Sequence, residues 1–335
     1  MVHDLRPGLD PRRLVRLMHE AVSRCELDLA GLTVLTEAAS GAYVVTPVIA
    51  ALAGADVCAV AASNAYTSEP EIRELTARIA RMAGVIDRVE LVSAKDPGII
   101  GAADIITNSG NVRPIDAETV SHMKPSAVVP LMYESWEYRG ADVDLQACRD
   151  RGIVVAGTNE RHPAVDVFSY LGQMAVLQLH EAGIPVRGSR ILLLCDNDFA
   201  PFIVRDLEAA QATVTLTPRP TAEEIPSDAD AVVLALQPTT APVLDAAGSE
   251  LLARTAPGAV LVQYWGDADR EALDARSVPV WPPRPPSAGH MGVLPSAVGP
   301  EPIVRLQSGG LKVGEVLARG LADASPNDLA FVQIL

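Results

Sequence analysis

The sequence predicts an α/β protein of two domains, each a parallel sheet covered by helices on both faces. Short apolar runs of strand length alternate with longer helical stretches along nearly the whole chain, which is the rhythm of such sheets. The 335 residues fit two domains at about 100–200 residues each. Hydrophobic residues make up 49% of the chain but aromatics only 4%, so large cores must be filled by Ala, Val, Leu and Ile.

Pro11–Cys25 carries Leu14, Leu17, Met18 and Val22 at helical spacing with charged residues between them, and predicts an amphipathic helix. The alternation then begins with a strand at Leu32–Leu35, a helix at Val44–Leu52, a strand at Val57–Ala61 and a helix at Glu69–Met82. Strands are expected at Val89–Val92, Ile105–Thr107 and Ala127–Met132, a helix at Asp142–Arg151 and a strand at Ile153–Val155. Ala164–Ala182 predicts a longer helix that joins this half to a second series. That series contains strands at Ile191–Leu194, Val214–Leu216, Ala231–Leu234, Val260–Gln263 and Val278–Val280, with Phe199–Ala209 as the helix after the first. The proline-rich stretch Trp281–Pro286 breaks the pattern, the tail resumes at Ile303, and Leu311–Leu321 predicts a closing helix.

The net charge of -15 argues against nucleic acid and anionic membrane surfaces as partners, because phosphate affinity needs basic patches. The four cysteines, Cys25, Cys58, Cys148 and Cys195, form no CxxC pair, so no zinc or redox motif is read and no metal is expected. Met1–Asp10 is polar without an apolar core, so no signal peptide is read. No apolar run reaches membrane-spanning length, and a cytoplasmic protein is the expectation.

Cys195-Asp196-Asn197-Asp198-Phe199-Ala200 stands between a buried strand and a helix, where a dinucleotide-binding glycine loop belongs. Glycines in such a loop make the bend and let the backbone approach the pyrophosphate. Here those three positions hold Cys195, Asn197 and Ala200, and Asp196 and Asp198 put negative charge where a diphosphate would lie. The sequence therefore describes a nucleotide-binding type of fold whose usual site is altered.

Ala103–Ala182 has a further recognisable order. Ala103-Asp104-Ile105-Ile106 precedes Pro114-Ile115-Asp116-Ala117-Glu118 and the strand Ala127–Met132; Asp142-Val143-Asp144-Leu145 and Arg151-Gly152-Ile153-Val154-Val155 follow, and Gly183–Leu194 leads into the nucleotide-type strand. Over roughly residues 100–300 this resembles the D-2-hydroxyacid dehydrogenase family. The resemblance implies two Rossmann-like, doubly wound parallel-sheet domains with an interdomain cleft. Residues 1–160, with 305–335 returning to them, would form the substrate-type domain, and 161–304 the nucleotide-binding-type domain. It also implies hydride transfer between a nicotinamide cofactor, NADP or NAD, and a small oxo or hydroxy acid, an Arg for the carboxylate, a His as proton donor, and a homodimer.

Asn197, Phe199, Ala200, Arg219 and Gln263 are the candidate cofactor contacts. Arg219, just past the strand Val214–Leu216, suits a 2′-phosphate better than a free 2′-hydroxyl. The family carries its catalytic Arg after the strand ending at Val262; here Gln263-Tyr264-Trp265-Gly266-Asp267 stand in that place and Arg270 falls a few residues beyond. Carboxylate recognition then falls to Arg113, Arg139 or Arg161, or the chemistry differs. His290, in the loop where the family places its acid–base His, is the first catalytic candidate, with His162 and Glu134 beside it. Ser40 and Gly41 follow a strand and precede a helix, a position that can bind an anion. Asn108, Trp136 and Arg139 lie in polar clusters at strand ends, where ligands of α/β sheets gather. Two classes of function follow. One is a nicotinamide-dependent oxidoreductase of a small oxo or hydroxy acid. The other is a non-redox enzyme (lyase, cyclase or transferase) or a metabolite-binding protein on the same scaffold, with the dinucleotide site lost.

Overall fold

The computed structural model describes residues 6–64, 67–219 and 221–335. Residues 1–5 of the stretch read for a leader, and Pro220 beside Arg219, lie outside the described residues.

In chain order the elements are α1 (Pro11–Arg24), β1 (Thr33–Ala38), α2 (Val45–Leu52), β2 (Asp56–Ala61), α3 (Glu69–Met82), β3 (Val89–Val92), α4 (Pro97–Ala102), β4 (Ile105–Ile106), α5 (Ala117–His122), β5 (Val128–Pro130), α6 (Leu145–Arg151) and β6 (Val154–Thr158). Then come α7 (Leu171–Glu181), β7 (Arg190–Cys195), α8 (Ala200–Ala209), β8 (Thr213–Thr217), β9 (Ala231–Ala235), α9 (Ala246–Thr255), β10 (Val260–Trp265), α10 (Arg270–Asp274) and β11 (Val280–Trp281). The chain closes with α11 (Glu301–Arg319), α12 (Pro326–Leu329) and β12 (Val332–Ile334). Helix starts carry their own signals. The Asp10 carboxylate accepts from the N–H groups of Arg12 and Arg13, and Pro11 stands where a helix has no use for an N–H. Asp96, Asp116, Asp144, Asp245 and Asp269 cap five further helices in the same way.

The chain divides into two compact units: the described residues up to Val167 with Gly299–Leu335, and Phe168–Val298. The first holds a seven-stranded sheet in the order β12-β6-β5-β4-β1-β2-β3. Six of its strands are parallel, and β12 runs antiparallel on the edge against β6. Helix α11 lies deep on this sheet, with every residue from Pro302 to Leu317 except Arg305 buried. Small residues permit that approach: a Cβ at Gly309 would stand 2.7 Å from Val165 Cγ2, and one at Gly314 2.9 Å from Ile105 Cγ2. The second unit holds a five-stranded, wholly parallel sheet in the order β11-β10-β9-β7-β8. There α7 and α8 meet at Gly172, where an added Cβ would come 2.5 Å from the Phe202 carbonyl oxygen. Each sheet buries an apolar layer on both faces, as parallel sheets require.

The α/β class and the parallel sheets agree with the expectation from sequence. Most boundaries shift by one to three residues, and three differences bear on the fold. The helix expected at Ala164–Ala182 begins only at Leu171, because the chain turns at His162–Asp166 and Asp166 takes a positive φ of 47°. The closing helix is longer than Leu311–Leu321, running from Glu301 to Arg319, since Gly309 and Gly310 are packing residues rather than breaks. The strand expected at Val278–Val280 is instead Val280–Trp281. No helix among the described residues is long and apolar enough to cross a membrane.

Candidate functional site

Ligands of open α/β sheets bind beyond the carboxyl ends of the strands, where the strand order reverses. In the first unit the order reverses between β1 and β4, and in the second between β7 and β9. Of the residues singled out from sequence, Ser40, Gly41, Asn108, Asn197, Phe199 and Ala200 lie just past these strands.

In the first unit the strand ends carry carboxyl groups. Glu134, 1% exposed, follows β5, and Glu160, 8% exposed, follows β6. The Glu134 carboxylate accepts from the Trp136 indole N–H and from the Glu160 backbone N–H at 3.3 Å, and Arg161 Nε stands 3.6 Å away. Glu137, half-buried, and Glu160 both hydrogen-bond to the backbone of Glu134. Their two carboxyl groups thus converge on one point. Burial pushes both pKa values up, the charge of Glu134 raises each further, and the charge of Glu137 adds to the effect on Glu160. Two carboxylates in one low-dielectric place cannot both ionise readily. Glu37, the fifth residue of β1, is a separate case. Burial lifts it to about 7, against the pull of the Arg113 guanidinium and a hydrogen bond to the Asn111 backbone. Tyr43 lies in the field of both Glu37 and Glu160; burial first, then those charges, raises its phenol to about 12. Beside Glu37, the hydroxyls of Thr36, Thr107 and Ser109 form a buried triangle with sides of 2.8, 2.7 and 3.4 Å.

The remaining candidates of this unit fall on the same edge. Ser40 precedes Gly41 in the turn after β1, and its hydroxyl accepts from Thr67 Oγ1 at 3.0 Å. Asn108, 2% exposed, follows β4; its Oδ1 accepts from the Met132 N–H at 2.8 Å, and its Nδ2 has no hydrogen-bond partner among the described residues. Trp136 is 45% exposed, and Arg139, also exposed, lies near enough to draw the Glu137 pKa downward. Arg113 pairs with Asp142 at 2.9 Å. His162 is differently placed. Its Nδ1 accepts from the Ala164 N–H at 3.2 Å, the ring bonds the Asn327 side chain, and it stacks on Phe331 with centroids 3.6 Å apart. Burial lowers its pKa. The ring thereby anchors the C-terminal segment.

In the second unit the β7–α8 turn is bound up in its own side chains. Asp196 Oδ1 accepts from the Gln237 N–H at 2.9 Å, just past β9. Asn197 donates from Nδ2 to the Ala235 carbonyl at 2.8 Å and accepts from the Phe199 N–H at 3.1 Å. Phe199 stacks on Trp265, centroids 4.9 Å apart, and Ala200 opens α8. These residues do not fit a dinucleotide pyrophosphate: the crevice between β7 and β9 is spanned by an acid and an amide in place of bare backbone. Gln263, 2% exposed, accepts from Arg270 Nε at 3.0 Å and donates to the Gly266 carbonyl at 2.9 Å, so the amide and the nearest Arg satisfy each other. Arg219 is exposed beyond β8. His290 is exposed in a loop held over the end of β10, where the Trp265 indole donates to the Gly289 carbonyl at 3.2 Å and Gly289 N–H donates to Asp267 at 3.2 Å.

Sequence reasoning did not single out Glu37, Tyr43, Glu137 or Glu160. A carboxylate inside the apolar run Thr33–Ala38 was the available signal for Glu37. The convergence of Glu137 and Glu160 had none, since they come from separate strand ends.

No protein-family model and no curated protein matches the sequence. Solved structures do match the fold. A dipicolinate synthase component from Bacillus halodurans superposes with a TM-score of 0.55 at 14% identity, covering 89% of this chain and 100% of that one. The corresponding dipicolinate synthase polypeptide from Bacillus subtilis gives 0.56 at 12% identity over 89% and 98%. A transhydrogenase from Sinorhizobium meliloti gives 0.50 at 14% identity over 90% and 100%. Likeness at such low identity speaks for architecture: over 89% of its length this chain shares the fold of the two dipicolinate synthase polypeptides.

Proposed function

We propose that this chain is a non-redox enzyme of small oxo or hydroxy acids, of the lyase type, working at the strand ends of its first unit. The observation that carries this reading is the Glu137–Glu160 pair, whose raised pKa values keep a proton available near neutral pH. General acid–base chemistry needs such poised groups. With a 3-hydroxy acid, malate among them, one member as carboxylate takes a proton from the carbon beside the acid group. The other, protonated, gives its proton to the hydroxyl leaving the next carbon; the C–H and C–O bonds break, a double bond forms between the two carbons and water leaves. Arg161 and Arg139 supply positive charge for the substrate carboxylate, and the orphan donor of buried Asn108 calls for an oxygen, since an unsatisfied buried amide costs about 1–3 kcal/mol.

A panel of pyruvate, oxaloacetate, lactate and malate tests this by thermal shift, because a ligand of the folded state raises the melting temperature. At least one acid is expected to stabilise the chain, with Glu160→Gln altering the pH dependence of that binding. No response to any acid, together with an unchanged pH profile, would remove the reading.

A second reading has its own support. The fold is shared with a protein named as a transhydrogenase, and His290 sits on a tethered loop at the end of β10. On that reading the chain is a nicotinamide-dependent oxidoreductase of a small oxo or hydroxy acid, with NADP or NAD as cofactor and His290 as proton donor. Substrate-dependent consumption of NADH or NADPH that disappears in His290→Ala would favour it.

A further inference from the structure

We infer that the β7–α8 turn is an internally occupied anion site: Asp196 and Asn197 take up the donors that a pyrophosphate would use, and the second unit binds no dinucleotide there. Anion sites of this kind consist of the first N–H groups of a helix and the N–H groups at adjoining strand ends. The N–H groups from Phe199 to Ile203 and that of Gln237 can be followed here. Phe199 N–H goes to Asn197 Oδ1 at 3.1 Å and Ala200 N–H to the Asn197 carbonyl at 3.3 Å. Position 201 is proline and has no N–H. Phe202 and Ile203 both donate to the Phe199 carbonyl at 3.1 Å. Across the crevice, Gln237 N–H goes to the Asp196 carboxylate at 2.9 Å. From Phe199 to Ile203, then, every N–H is used within the chain and one is missing.

Charge acts in the same direction. Asp196 and Asp198 are both exposed at this turn, and a carboxylate beside a diphosphate repels it. For the helix itself the arrangement is favourable, since acids near a helix N-terminus interact well with its dipole. Asp196 is thus the turn's own anion. Asn197 locks it in place, donating to Asp196 Oδ1 at 3.1 Å and to the Ala235 carbonyl at 2.8 Å. Cys195 Sγ, 3.5 Å from Asn197 Oδ1, closes the arrangement from below. The closure does not depend on what the carboxyl groups of the first unit do, so it and the lyase reading can fail separately, while the nicotinamide reading stands only where the closure fails.

The test uses the full chain, with NADH, NADPH and inorganic pyrophosphate as probes in calorimetric titration and thermal shift. The wild-type protein is expected to bind none of them saturably. Combining Asp196→Gly, Asn197→Gly and Pro201→Ala frees the donors, and NADH or NADPH is then expected to bind at least about tenfold more tightly, equal to about 1.4 kcal/mol. Saturable wild-type binding of either nucleotide or of pyrophosphate overturns the inference, and so does a folded triple variant with no gain. Should the triple variant not fold, amide hydrogen exchange decides. Gln237 N–H is expected to be protected in the wild-type chain and to exchange about tenfold or more faster in Asp196→Ala; equal protection in both would refute the assignment.

Discussion

Glu37 shows how one buried carboxyl group couples to the whole fold. Its pKa is about 7 in the folded chain against an ordinary 4.5, with burial as the main cause. Between those values the native state keeps a proton that the unfolded chain has released. Stability therefore falls as pH rises through that window and levels off above it. The full effect is up to about 3 kcal/mol. Glu37→Gln should flatten the fall, which denaturant unfolding of both proteins at pH 5 and pH 8 would measure; equal slopes would mean that Glu37 titrates normally. Glu137 and Glu160 share the sign, so a residual slope is expected after Glu37 is removed.

At the scale of elements, the C-terminal segment is held by side chains as much as by its three-residue strand. Phe331, 1% exposed, stacks on His162, and the Asn159 amide donates to the Ala330 carbonyl at 2.9 Å. Gln333 Oε1 accepts from the Ser135 N–H at 2.8 Å, one residue from Glu134. Lys312, buried in α11, pairs with Glu315 at 2.9 Å and Asp328 at 3.0 Å; burial alone would lower its pKa, and these two carboxylates raise it instead. The segment therefore braces the two turns that bring Glu134, Glu137 and Glu160 together. Phe331→Ala should cost about 3–5 kcal/mol, the range for emptying a buried aromatic site. Chemical unfolding measures it, and a loss well below 1 kcal/mol would show that the segment packs only loosely.

At the scale of the molecule, the first unit is assembled from two stretches of chain separated by the whole of the second. Its sheet is completed by β12, and α11 covers β5 and β6 from the far end of the sequence. A chain ending at Val298 lacks both. Such a truncation is expected to leave the first unit without a native core, seen as loss of cooperative melting and strong binding of a hydrophobic dye. A truncated chain that melts as sharply as the intact one would contradict this account of the core.

The sequence by itself determined the α/β class, the parallel sheets and the departure from glycine at Cys195–Ala200, because periodicity and turn chemistry are local properties that a short window carries. Of the residues it brought forward, Ser40, Asn108 and Asn197 stand two residues past the ends of β1, β4 and β7. Tertiary structure alone decided that Glu137 and Glu160 meet, that His162 serves the tail, that a short antiparallel strand ends the first sheet, and that Asp196 spans to Gln237. Those facts join groups far apart in the chain, and a carboxylate's proton affinity is set by what surrounds it in space, which no neighbouring residue in sequence reports.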